Sequence, residues 1–286
     1  MPPSFSVSFS ALSANYDAVL CDVWGVIHNG VTATLEACDA LARFRRKGGT
    51  VVLITNAPRP GEFVKRFLDG ISVPTEAYDG IVSSGDVTRT VIAQRAGQRV
   101  FHIGPERDIG IFENLDVETV PVERADFVVC SGLYDDTTET PHHYDELITT
   151  MRQRDLMMLC ANPDIVVERG EHLVYCAGAI ADRYGEAGGK VLYAGKPHQP
   201  IYEQALIAAM KTRGKALDRA RVLAIGDSIR TDLKGAAAFG IDCLFVTAGI
   251  HAEELGPRHN PDASALDGMF AASGVFPKAV MRRLEW

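Results

Sequence analysis

Asp22 closes the apolar run Ala18-Val-Leu-Cys-Asp22, and Gly25 follows where the backbone must turn, so a single carboxylate is delivered to the tip of a short buried strand. The position two residues on, where a second carboxylate would complete an acid/base pair, holds Trp24. Three other segments set polar groups in the same kind of place. Thr55-Asn56 follows Thr50-Val-Val-Leu-Ile54, Lys196 follows Val191-Leu-Tyr-Ala194, and Gly226-Asp227-Ser228 follows Arg221-Val-Leu-Ala-Ile225, with Asp232 in the first turn of the next helix. Taken singly these have ordinary explanations: Asp227 a loop cap, Asp232 an acid favoured by a helix dipole, Lys196 a solvated turn lysine, Thr55-Asn56 a helix entry before Pro58 and Pro60. As an ordered set they fit phosphoryl transfer through an aspartyl-phosphate. Asp22 would attack phosphorus, and the oxygen-only group Asp22, Asp227 and Asp232 suits a hard cation such as Mg²⁺. Thr55 and Asn56 would donate to the phosphoryl oxygens, and Lys196 would offset their charge.

Positioning these groups requires strands alternating with helices. Short β-rich runs and amphipathic stretches succeed one another along the chain, which predicts parallel sheets with helices on their faces. A helix is expected over 34–47, stopped by Gly48-Gly49, and another over 231–239 before the strand 243–246. Between the second and third site segments lies a block with its own alternation: strands at 100–103, 127–130 and 156–159, helices near 86–94, 144–154 and 177–184. It is too long for a loop and reads as an inserted α/β domain. The expected division is a core over 1–82 and 190–286 with an insert over 83–189. Residues 248–266 read as loop and the final residues as a closing helix packed by Phe276 and Trp286.

A net charge of −8 argues against a generic nucleic-acid binder or anionic-membrane binder, both of which need a basic surface. The six cysteines are scattered without a C-x-x-C pair, which predicts buried thiols rather than zinc or disulfides. The first residues lack a basic segment followed by an apolar one, and no stretch is apolar enough to span a bilayer, so a cytoplasmic location is expected.

The four segments resemble, in order, the four motifs of the haloacid-dehalogenase (HAD) superfamily: Asp22-Val-Trp-Gly-Val, Thr55-Asn56, Lys196-Pro197, and Gly226-Asp227-Ser228 with Asp232. The insert, with Ser83-Ser84-Gly85 and Ala161-Asn162-Pro163-Asp164, is similar to the C2-type cap of class IIA, the NagD-like and p-nitrophenylphosphatase-like branch. The resemblance implies a Rossmann-like, doubly wound parallel core, Asp22 as nucleophile, Lys196 as its catalytic partner, and Mg²⁺ held by Asp22, the backbone carbonyl of Trp24, Asp227 and Asp232. It implies a small phosphorylated metabolite as substrate, a sugar phosphate or nucleotide-like monoester, and self-association through the cap. Family phosphatases carry aspartate where this chain has Trp24, the residue that protonates the leaving group and then activates water. Indole cannot take a proton from water. A slow or atypical phosphatase, one with a substitute base such as His28, and a catalytically silent phosphometabolite sensor therefore all stand at this point. Asp164 could meet a leaving group or simply close an Asx turn, and Arg59 could touch phosphate or solvent.

Overall fold

The apolar runs become strands buried along their length: β1 (Ala18–Asp22) and β2 (Thr50–Thr55) have no exposed residue. That is the behaviour of a parallel sheet covered on both faces. Further along lie β3 (Gly80–Ser83), β4 (Arg99–Ile103), β5 (Glu118–Thr119), β6 (Phe127–Cys130), β7 (Met157–Cys160), β8 (Val166–Arg169), β9 (His172–Tyr175), β10 (Lys190–Tyr193), β11 (Val222–Gly226), β12 (Asp242–Val246) and β13 (Ala279–Met281). The computed structural model describes residues 8–169, 172–249 and 263–286. It divides into two compact units, Met1–Thr55 with Lys65–Val82 and Lys196–Trp286, and Asn56–Val64 with Ser83–Gly195.

In the first unit a parallel six-stranded sheet runs β13-β12-β11-β1-β2-β3. The chain builds outward one way from β1 and the other way from β11, so the order reverses between these neighbours, where parallel α/β sheets open a crevice beyond their carboxyl ends. Register places Cys21 opposite Ile225 and Asp22 opposite Ile54. The helix Leu35–Arg46 packs the sheet through Ala37, Cys38, Leu41 and Phe44. Glu36 in its first turn and Arg43, Arg45 and Arg46 in its last complement the helix dipole.

The second unit has its own five-stranded sheet, β10-β7-β6-β4-β5, and a separate antiparallel hairpin of β8 and β9. The sheet pairings are parallel. Its core gathers Ile103, Val128, Cys130, Met158, Cys160, Ile180 and Tyr184.

Two sequence expectations give way. The run 191–194 is not a core strand: β10 pairs with β7 in the second sheet, Val191 opposite Met158. The chain therefore passes from one unit to the other between Gly195 and Lys196, not at 189/190, and Asn56–Val64 counts with the second unit. A short apolar run looks the same in either sheet; its partner, more than thirty residues away, decides. The closing segment holds a helix, Ala263–Ser273, but ends in β13, which adds to β12 at the edge of the core sheet. Trp286 meets Phe9 edge-on at 5.9 Å, with Lys47 Nζ 4.7 Å from the indole centroid. Phe276 stays mostly exposed and touches Phe270 of the helix at 6.5 Å. Of the expected loop 248–266, residues 250–262 lie outside those described, and the helix begins at Ala263. All six cysteines are buried and none is in a disulfide, and among the described residues no helix is long and apolar enough to cross a membrane.

Candidate active site

β1 ends on Asp22, which is 6 % exposed. Its Oδ1 accepts the Val23 N–H at 2.7 Å and lies 2.6 Å from Lys196 Nζ. The same ammonium reaches Asp232 Oδ1 at 2.7 Å. Asp232 is fixed in turn by the Ser228 N–H, which donates to its Oδ2 at 3.1 Å, and Ser228 Oγ accepts from Thr231 N at the start of a wide π-helical turn, Ile229–Leu233. Such turns widen the backbone and recur at functional sites. The expected helix over 231–239 thus begins as this turn and continues regularly over Lys234–Phe239.

Asp227, immediately after β11, completes the group: one oxygen each from Asp22, Asp227 and Asp232 lie within 4.8 Å of one another. Two glycines make room for it. A Cβ on Gly25, which has φ +81°, would fall 2.0 Å from Asp227 Oδ2, and one on Gly249 would fall 1.8 Å from it. Both approaches are closer than any side chain permits. Lys196 is almost wholly buried; burial disfavours its charge, but the Asp22 and Asp232 carboxylates outweigh that and hold its pKa well above the usual lysine value. Burial, then Asp232 and Asp227, push the Asp22 carboxyl well up despite Lys196. The cluster is thus short of positive charge, and its all-oxygen donor set fits a hard divalent cation.

Thr55 ends β2 in the first unit, buried. Asn56, its neighbour along the chain, counts with the second unit, where its Nδ2 donates to Asp164 Oδ1 at 2.9 Å. Asp164 N donates to Asn162 Oδ1 at 3.1 Å, so the Asx turn forms, and Asp164 holds the Asn56 amide. Arg59 pairs with the buried Asp108 at 3.2 Å.

Trp24 packs on its own loop. A Cβ at Gly30 would lie 2.5 Å from the indole Cη2, and the His28 ring stands edge-on at 5.1 Å. His28 is 3 % exposed, its Nδ1 accepts the Gly30 N–H at 2.8 Å, and burial lowers its pKa to about 4. The ring is therefore neutral at pH 7 with its proton on Nε2, a poor replacement for a carboxylate base.

A second polar group escaped the sequence reading. In the second unit His102 Nε2 meets Ser131 Oγ at 2.9 Å, near Asp108, whose pKa burial raises while Arg59 and Ser131 draw it down. Ser131 directly follows β6, so the strand-end rule used for Asp22, extended to the inserted block, would have found it.

The sequence family described as "Haloacid dehalogenase-like hydrolase" matches residues 19–118, and one described as HAD-hydrolase-like matches 193–268. A hydrolase of the haloacid dehalogenase-like family from Brucella suis 1330 has a solved structure 47% identical, with TM-score 0.87, covering 98% of this chain and 100% of its own. The p-nitrophenyl phosphatase from Archaeoglobus fulgidus shares the fold at TM-score 0.73 and 22% identity, over 94% of this chain and 97% of its own. The 5'-nucleotidase YutF of Bacillus subtilis (strain 168) is 25% identical over 243 residues, 84% of this chain and 90% of that protein.

Proposed function

The chain belongs to the haloacid dehalogenase-like hydrolases, as a phosphatase-like member with the class IIA fold, and we propose that it hydrolyses a small phosphorylated metabolite through Asp22. The observation that carries this reading is the buried cluster itself: three carboxylates within 4.8 Å, two of which, Asp22 and Asp232, share the Lys196 ammonium at 2.6 Å and 2.7 Å. Such a cluster is costly to bury unless a cation and an anionic ligand complete it. The names of the relatives, a 5'-nucleotidase and a p-nitrophenyl phosphatase, support a sugar phosphate or nucleotide-like monoester as substrate.

In this reading Asp22, Asp227 and Asp232, with the carbonyl of Trp24, would hold Mg²⁺. When bound, the ion neutralises phosphoryl charge and screens the carboxylates from one another. Asp22 attacks phosphorus and becomes the aspartyl-phosphate. Lys196, held at its present pairing distances, keeps Asp22 aimed and adds positive charge beside the transferring group. Thr55 and Asn56 donate to phosphoryl oxygens. Self-association through the second unit belongs to the same proposal, supported by the exposed Leu173 and Tyr175; light scattering at increasing concentration decides it.

A second reading, a phosphometabolite-binding protein without turnover, is favoured by Trp24, which offers no proton to the reaction. Both readings meet one assay: phosphate release from a panel of monoesters with Mg²⁺, beside Asp22→Asn. The proposal expects release by the wild type and a drop of at least about 10³-fold in the variant. Binding of metal and phosphate with no release above the variant would leave the sensor.

A further inference from the structure

Resting on that phosphatase reading, we propose that the protein selects phosphates whose leaving group departs without being protonated, acyl phosphates above all and aryl phosphates next. An alkoxide, conjugate to a very weak acid, needs a proton as it leaves. A carboxylate, conjugate to an acid of pKa about 4, does not, and a phenolate at about 10 lies between.

The described residues of the first unit set no proton donor where the second motif-one carboxylate would stand. The Trp24 indole lies against Gly30, and its N–H is not an acid. His28 is wedged between Trp24 and Phe67, with ring centroids 5.1 Å and 5.2 Å away, and its Nδ1 is taken by the Gly30 N–H. The Lys196 ammonium is held by two carboxylates. Asp227 is walled by Gly25 and Gly249. In the second unit, Asp164 is engaged by Asn56.

The chemistry closes without an acid. An Asp22 oxygen bonds to phosphorus as the bond from phosphorus to the leaving oxygen breaks; the electron pair stays on that oxygen, which leaves as carboxylate or phenolate. Water then bonds to phosphorus, the Asp22–phosphorus bond breaks, Asp22 regains its carboxylate, and the water proton passes to a phosphoryl oxygen of the released phosphate. The described residues of the first unit set no base at that position for the second step either, so it is the slow one, and it is the same for every substrate.

The measurement is kcat/KM and kcat for acetyl phosphate, a series of aryl phosphates spanning phenol acidity, and glycerol phosphate, all with Mg²⁺. The expected result is a steep fall of kcat/KM with rising leaving-group pKa, glycerol phosphate lying at least about 10²-fold below the activated substrates, the usual worth of general acid catalysis. Activated substrates share one kcat and show a burst of leaving group. Trp24→Asp raises kcat/KM for glycerol phosphate by about 10²-fold or more and for acetyl phosphate by much less, while kcat for the activated substrates rises because the new carboxylate also serves the second step. A shallow slope in the wild type, with glycerol phosphate cleaved as well as aryl phosphates, overturns the proposal whether or not the variant folds. Cleavage of nothing above the Asp22→Asn background removes the phosphatase reading itself, and this inference with it.

Discussion

In the first unit three buried carboxylates lie together and one ammonium pairs with two of them; in the second, Asp108 is matched by Arg59 at 3.2 Å, and its neighbours Ser131 and His102 are neutral. Asp108 and Ser131 are buried like the first cluster, yet only the first is out of charge balance. Imbalance is what a ligand can correct. A balanced group holds its own backbone in place: a Cβ on Gly104 would strike Ser131 Oγ at 2.1 Å, so β4 and β6 approach closely at that point. The comparison separates a site for a cation and an anion from a polar clasp, although both present the same residue types.

The sharpest way to break it is to remove the basic partner from each cluster. Lys196→Ala leaves Asp22 and Asp232 buried without a cation and is expected to cost about 3–5 kcal/mol in metal-free urea unfolding. Arg59→Ala removes a half-exposed guanidinium whose pair is screened by solvent, and is expected to cost about 1 kcal/mol or less. Equal losses would erase the distinction.

Acid should act on the second unit through His102, whose pKa burial lowers to about 4. Above pH 6.5 the ring is neutral folded and unfolded, and pH has no effect through it. Between pH 6.5 and 4 the unfolded chain takes up a proton that the folded ring refuses, so stability falls with pH, by up to about 3 kcal/mol. His102→Gln should flatten that slope in unfolding followed by near-ultraviolet tyrosine dichroism. An unchanged slope would assign the acid sensitivity elsewhere.

The smallest effect is the most specific to the first cluster. Mg²⁺ at a hundred times its dissociation constant should stabilise the first unit by about 2.7 kcal/mol. Both tryptophans, Trp24 and Trp286, lie in that unit, so indole fluorescence reads it alone. Asp227→Asn should abolish the gain, while Asp108→Asn should leave it intact.

The first cluster was legible in the sequence because its carriers end apolar runs that had to be buried strands: β1, β2 and β11 come with Asp22, Thr55 and Asp227 attached. Lys196 was found for a partly mistaken reason, since the strand before it belongs to the other sheet. What stayed hidden depends on pairing at long range. Nothing near Asn56 announces Asp164, more than a hundred residues away, and nothing in the last residues distinguishes an edge strand from a helix until β12 is beside it. The His102–Ser131 contact joins two neighbouring strands whose pairing, Val100 opposite Phe127, only the fold reveals.

The chain crosses between units four times, at 55/56, 64/65, 82/83 and 195/196, because Asn56–Val64 is built into the second unit. Within that segment the Gly61 N–H donates to Asp86, Arg59 reaches Asp108, and Gly85 sits where a side chain would strike the Arg59 backbone carbonyl at 2.5 Å. Recombination that exchanged Ser83–Gly195 alone would strand these partners in a host that does not fit them. A working exchange of this insert would have to carry the short stretch after Thr55 along with it.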